Sequence, residues 1–219
     1  MPWVTLNHSQ RMRILVLFFG IWLPLILFGW IAEDVVDREI LGFDQGILRF
    51  VRTLETPALD GWMLSVTQLA GALWMSLISL AIALGLVVQK RYAGALFFAL
   101  CTLGSLSLNQ LTKSIFARPR PSLWDHLVYE PAFSFPSGHA MSITTCMAAL
   151  TLIFWYTRWR IPLVCFSVVA VSAIGFSRLY LGVHYLSDVV AGILASIVWV
   201  VGLRQVFRKH DPDSLHAHR

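Results

Sequence analysis

Charge is what this chain has least of. Only 13% of its 219 residues are Asp, Glu, Lys or Arg, against 57% hydrophobic, and a soluble globular domain carries about 25% charged residues. That scarcity excludes an ordinary soluble enzyme and implies an integral membrane protein. Cysteine is almost absent too. Cys101, Cys146 and Cys165 lie in three separate apolar runs, so they build neither a disulfide framework nor a metal motif and are expected to be small core residues. No polar stretch is long enough to form a soluble domain. The first apolar run also lacks a small-residue cleavage site and is followed by Glu33 and Asp34, so it is expected to be a retained span, not a cleaved leader.

What the chain does have is apolar length. Six runs, 14–31, 62–88, 92–111, 139–156, 161–181 and 185–203, match the about 20 residues a helix needs to cross hydrocarbon. The expected fold is all-α: a single six-transmembrane-helix bundle over 14–203, with a cytoplasmic N-terminus at 1–13 and a cytoplasmic tail at 204–219. Arg11, Arg13, Lys90, Arg91, Arg158, Arg160, Arg204, Arg208 and Lys209 fall at the termini or after even-numbered spans. The positive-inside rule puts all of them in the cytoplasm. The net charge of +5 is thus laid out for a lipid bilayer and not for nucleic acid. His210, His216 and His218 in the tail are too loosely spaced to form a metal site.

Between the first two runs, Phe43, Ile47, Val51 and Leu54 recur at helical spacing. They predict a short amphipathic helix in the outer interface, ended by Pro57, with Asp60 capping the second span. Asn109 and Gln110 are expected to hydrogen-bond between helices. Ala191 and Ala195, and Gly192 and Ser196, are spaced by four for close helix packing.

Chemistry gathers on the outer face, where Lys113, Arg118, Arg120 and Arg178 break the charge rule. Arg178, His184 and Asp188 border hydrocarbon-length runs, where ionisable groups persist only if paired or facing a polar cavity. On a helix, His184 and Asp188 would share a face, so the carboxylate reaches one ring nitrogen and leaves the other free. That pair is either a nucleophile with its orienting group or a structural link between helices. Two prolines after Lys113 hold Arg118 and Arg120 in extended backbone. Pro136-Ser137-Gly138-His139 opens the fourth run, where Ser137 can cap the helix and the first-turn N–H groups face an anion.

Three pieces of this sequence resemble the signature of the type 2 phosphatidic acid phosphatase superfamily. They are Lys113 with six residues to Arg120-Pro121, then Pro136-Ser137-Gly138-His139, then Ser177-Arg178 followed by His184 and Asp188. The resemblance implies a six-helix membrane core, a site at the outer face, no metal or other cofactor, and a membrane lipid phosphate or diphosphate as substrate. It implies that Lys113, Arg120, Arg178, Ser137 and Gly138 bind the phosphoryl group. His184 would attack phosphorus, Asp188 would orient it, and His139 would serve as general acid and base. Arg118, beside the signature, would meet a second phosphate or be a surface arginine at a helix end. The short outer loop is similar to that of small bacterial inner-membrane members acting on undecaprenyl diphosphate, phosphatidylglycerol phosphate or phosphatidic acid. Undecaprenyl diphosphate is the preferred expectation, hydrolysed on the periplasmic or extracellular side. A lipid phosphotransferase and a non-catalytic lipid transporter remain alternatives, and the oligomeric state is open.

Overall fold

The computed structural model describes residues 7–210, and every regular element among them is a helix. His216 and His218 lie outside the described residues. Asn7 opens α1 (His8–Leu17) by a capping box with Gln10. A π-helical turn, Phe18–Trp22, joins α1 to α2 (Leu23–Asp37). The widened turn sits just ahead of Pro24, whose ring cannot accept an ordinary preceding helical turn. Together they make one apolar span, Gln10–Asp37, of which only Pro24, Ala32 and Val35 are buried in protein. The rest of that surface suits hydrocarbon.

Next come α3 (Leu41–Arg52), α4 (Pro57–Leu69), α5 (Ala72–Val88) and α6 (Tyr92–Phe116). After the loop 122–135 follow α7 (Gly138–Ile153), α8 (Arg160–Tyr180) and α9 (Leu186–His210). Among the described residues four helical stretches are long and apolar enough to span a membrane: Gln10–Asp37, α6, α8 and Leu186–Phe207. The pair α4 and α5 makes a fifth only if counted together across a 48° bend. The break falls at Ala70 and Gly71, and within the apolar run 62–88 only Gly71, after Thr67 and Gln68, hints at it. At 16 residues, α7 is shorter than a free-standing span. It packs against α6, α8 and α9 at the centre of the bundle, so it meets protein on most sides. Phe97, Phe98, Cys101, Ala149, Ile153 and Val200 form the core around it.

Several local expectations change. Pro57 does not end a helix but begins α4, at a position where a missing N–H costs nothing. Thr56 is the cap, accepting from Leu59 N at 3.2 Å. Asp60 instead accepts a 2.6 Å bond from the Tyr180 hydroxyl, tying α4 to α8. In α3 the buried residues are Asp44, Leu48 and Val51, whereas Phe43 and Leu54 are exposed. The helix therefore turns a carboxylate inward, which an apolar-stripe reading misses. Cys101 and Cys146 are buried, but Cys165 is exposed on α8 and is not a core residue.

Candidate active site

Antiparallel packing brings the last turns of α6 and α8 to the same end of the bundle as the first turns of α7 and α9. Lys113, Arg178, His139 and Asp188 arrive there on those four helices, and His184 on the turn between α8 and α9. That turn is set by Gly182 at φ +69°, a left-handed conformation in which a Cβ would also strike the Trp124 ring at 2.6 Å. His184 is 1% exposed. Its Nδ1 lies 3.3 Å from Asp188 Oδ2 and its Nε2 lies 3.1 Å from Arg120 Nη1. A guanidinium can only donate, so Nε2 is the acceptor and Nδ1 carries the proton shared with Asp188. Burial first, then Arg178, Arg120, Lys113 and His139, push the His184 imidazole well below its usual range, so the ring is neutral.

The cations converge on this ring's free side. Arg120 is held by the carbonyls of Ala132 at 2.7 Å and Val183 at 2.8 Å, and Lys113 by that of Phe133 at 2.8 Å. Arg178 donates to Thr67 Oγ1 at 2.6 Å and to Glu130 at 2.5 Å. Two buried polar atoms here have no partner: Arg178 Nε and Ser137 Oγ. Such orphans are uncommon and call for a ligand. Ser137 stands at the N-cap of α7 without making the cap bond expected of it. Its N–H is spent on the Asp188 carbonyl at 2.9 Å, so the anion-facing donors left in the turn begin at Gly138 and His139. Asn109 secures this corner by donating to the Pro136 carbonyl at 3.1 Å. Gly192 lets α9 pass under it, where a Cβ would meet the Ser137 carbonyl at 2.8 Å.

Glu130, absent from the sequence reading, lies between Arg178 and Arg120, at 2.5 and 3.5 Å. Burial alone would raise its carboxyl, but Arg178, His139 and Arg120 outweigh that and hold it below the usual carboxylate range. The stabilisation from these pairs is therefore complete above the ordinary glutamate range and fades as pH falls through the lowered value. No sequence pattern marks Glu130; only the loop 122–135 folding back over the site puts it there. A free oxyanion must displace this carboxylate to reach both arginines. Replacing Glu130 with glutamine is expected to tighten inhibition by inorganic vanadate or phosphate by roughly tenfold or more, since like charges ~4 Å apart repel by a few kcal/mol even when partly screened. Unchanged inhibition constants in that variant would mean the carboxylate swings clear at no cost.

Arg118 corrects the sequence reading. It is 7% exposed, not a surface residue, and its guanidinium is taken up by Asp188 at 2.5 Å and Asp44 at 2.9 Å. Tyr185 lies under its face at 4.1 Å. Both of its terminal nitrogens are committed, so a second phosphate would have to displace a carboxylate to reach them. Among the described residues, no group of three or more His, Cys, Asp or Glu side chains could hold a metal ion.

Comparison with known proteins gives the same direction. The PAP2 superfamily description matches residues 92–212. Phosphatidylglycerophosphatase B of Bacillus subtilis is 27% identical over 173 residues, 76% of this chain and 84% of that protein. An undecaprenyl-diphosphatase of Sulfolobus acidocaldarius is 25% identical over 190 residues, 83% and 85% of the two chains. The crystal structure of a transmembrane PAP2-type phosphatidylglycerolphosphate phosphatase from Bacillus subtilis superimposes with a TM-score of 0.79 at 22% identity, covering 85% of this chain and 94% of that one.

Proposed function

The chain belongs to the PAP2 superfamily, whose relatives here are lipid phosphatases, and from that premise we propose that it hydrolyses a membrane-lipid phosphate or diphosphate without a metal, through a phosphohistidine at His184. The observation that carries this reading is the His184 ring. It is neutral, proton-bearing toward Asp188, and its lone pair faces the arginines beside two unpartnered buried polar atoms.

In the proposed sequence, Lys113, Arg120, Arg178 and the donors at Ser137 and Gly138 take the phosphoryl oxygens as Glu130 leaves. Charge spreading over those oxygens in the transition state meets donors already aligned, which is where such sites gain rate. His184 Nε2 forms the N–P bond as the P–O bond to the leaving group breaks. The His184 ring becomes cationic, and Asp188 stabilises it through the Nδ1 proton. His139 gives a proton to the leaving oxygen, then takes one from the water that cleaves the N–P bond. The lipid leaves as an alcohol, or as a monophosphate if the substrate is a diphosphate.

The proposal keeps six spans, counting the bent α4 and α5 as one and α7 as another. It puts both termini in the cytoplasm and the site on the periplasmic or extracellular side of a bacterial inner membrane. Undecaprenyl diphosphate remains the preferred substrate, with phosphatidylglycerol phosphate and phosphatidic acid next. Phosphate release from each lipid by detergent-purified protein, with excess chelator, tests the whole reading. Chelator-resistant release from a single lipid is expected. No release from any of them, or release abolished by chelation, would overturn it.

A further inference from the structure

Asp44 is 0% exposed and stands on a helix that the signature does not include. One carboxylate oxygen accepts from Ser187 N at 3.0 Å, and the other from Arg118 Nη2 at 2.9 Å and from the Ser187 hydroxyl. Arg118 then reaches Asp188 Oδ1 at 2.5 Å and Ser187 Oγ at 2.8 Å through Nη1. Asp188 Oδ2 takes Tyr185 N at 2.9 Å and lies 3.3 Å from His184 Nδ1. One unbroken line of charged hydrogen bonds therefore runs from α3, through the Arg118 segment and the first turn of α9, to the imidazole.

A lone buried arginine beside Asp188 would neutralise it and weaken it as an acceptor for the Nδ1 proton. Asp44 supplies the second carboxylate, so the trio retains one net negative charge next to a ring that must become cationic. It also fixes Arg118 from its far side and caps α9 from outside the helix, where a carboxylate suits the positive end of the helix dipole. From the other elements Arg178, Arg120, Lys113 and, when protonated, His139 oppose a cation there. Glu130 offsets the two arginines in the free site, and once it leaves the Asp188 side is the protein's remaining support for the cation.

We propose that Asp44 is a positioning residue for His184, acting through Arg118 and Asp188, so that α3 sets the nucleophile's orientation and charge without touching substrate. This rests on the phosphatase reading of the same site. It also implies that displacing α3 would uncouple the nucleophile.

The test is a double-mutant cycle of Asp44→Asn and Arg118→Gln, with kcat and KM measured in detergent and normalised to monodisperse protein. Asp44→Asn is expected to lower kcat by about 10-fold, the low end of the range for partners bonded directly to an active group, since Arg118 and Asp188 stand between it and the ring, with KM within about threefold. In the Arg118→Gln background it should add little, because both substitutions break the same line. A kcat within threefold of wild type, a loss confined to KM, or losses that multiply in the double variant would each overturn the proposal. If Asp44→Asn alone does not fold, Arg118→Lys, which keeps the cation beside Asp188 but loses the fork that reaches Asp44 through one nitrogen and Asp188 through the other, is read by the same kcat limits. Wild-type protein that releases no phosphate defeats the phosphatase reading instead, and this inference with it.

Discussion

His184→Ala is expected to lose turnover by about ten-thousandfold or more, as removal of a nucleophile does elsewhere, while the protein remains folded in detergent. The ring nitrogens make no hydrogen bond to the backbone; they meet only Asp188 and Arg120. Its loss leaves Asp188 still bound by Arg118 and by Tyr185 N, so the first turn of α9 keeps its anchors. The rival nucleophile is Ser137, whose hydroxyl is buried and unpartnered at the same site. The covalent intermediate separates the two, because an N–P bond to imidazole is acid-labile and base-stable whereas a serine phosphate is the reverse. Wild-type protein quenched during turnover should carry acid-labile label, absent from His184→Ala and from the less cavity-forming His184→Asn. Acid-stable label surviving in either variant would transfer the role to Ser137.

The candidate reactive residues are legible in the sequence because their spacing is local. His184 and Asp188 are four apart, Pro136 to His139 are contiguous, and Lys113 and Arg120 flank one helix end. What sequence could not supply was partnership across distance. Asp44 meets Arg118 over 74 positions and Ser187 over 143, and Glu130 meets Arg178 over 48. Each is a single carboxylate in a polar segment, with nothing nearby to mark it as turned inward. Arg118 was misjudged for the same reason: at a helix end it looks like a headgroup contact until the two carboxylates that bury it are known. The α4–α5 bend is hard to read from the sequence, since 62–88 contains no proline, Gly71 after Thr67 and Gln68 is a weak signal, and hydropathy alone does not register a change of direction. Charge scarcity and apolar runs of about 20 residues, by contrast, are enough to give a helical membrane protein, because a helix of that length satisfies its own backbone across the hydrocarbon.

The second large effect is expected at His139, and it should depend on the leaving group. His139→Gln keeps a hydrogen-bonding side chain at the start of α7 but cannot carry a proton between the two steps. An alkyl lipid phosphate needs its leaving oxygen protonated as the P–O bond breaks, so phosphoenzyme formation should slow by the roughly 10²- to 10⁴-fold typical of a lost general acid. An aryl phosphate such as p-nitrophenyl phosphate has a leaving group that departs unprotonated. For it the first step should be largely spared, while hydrolysis of the phosphohistidine, which needs the same imidazole as a base, remains slow. The variant should then release one equivalent of nitrophenol per enzyme in a burst, followed by a slow steady state, and label should accumulate on His184. With an alkyl lipid monophosphate no burst should occur, whereas a lipid diphosphate, whose leaving group is itself a phosphate, should behave like the aryl ester. Equal losses on both substrates without a burst would mean that His139 serves the site only by position, as a further donor at the helix start.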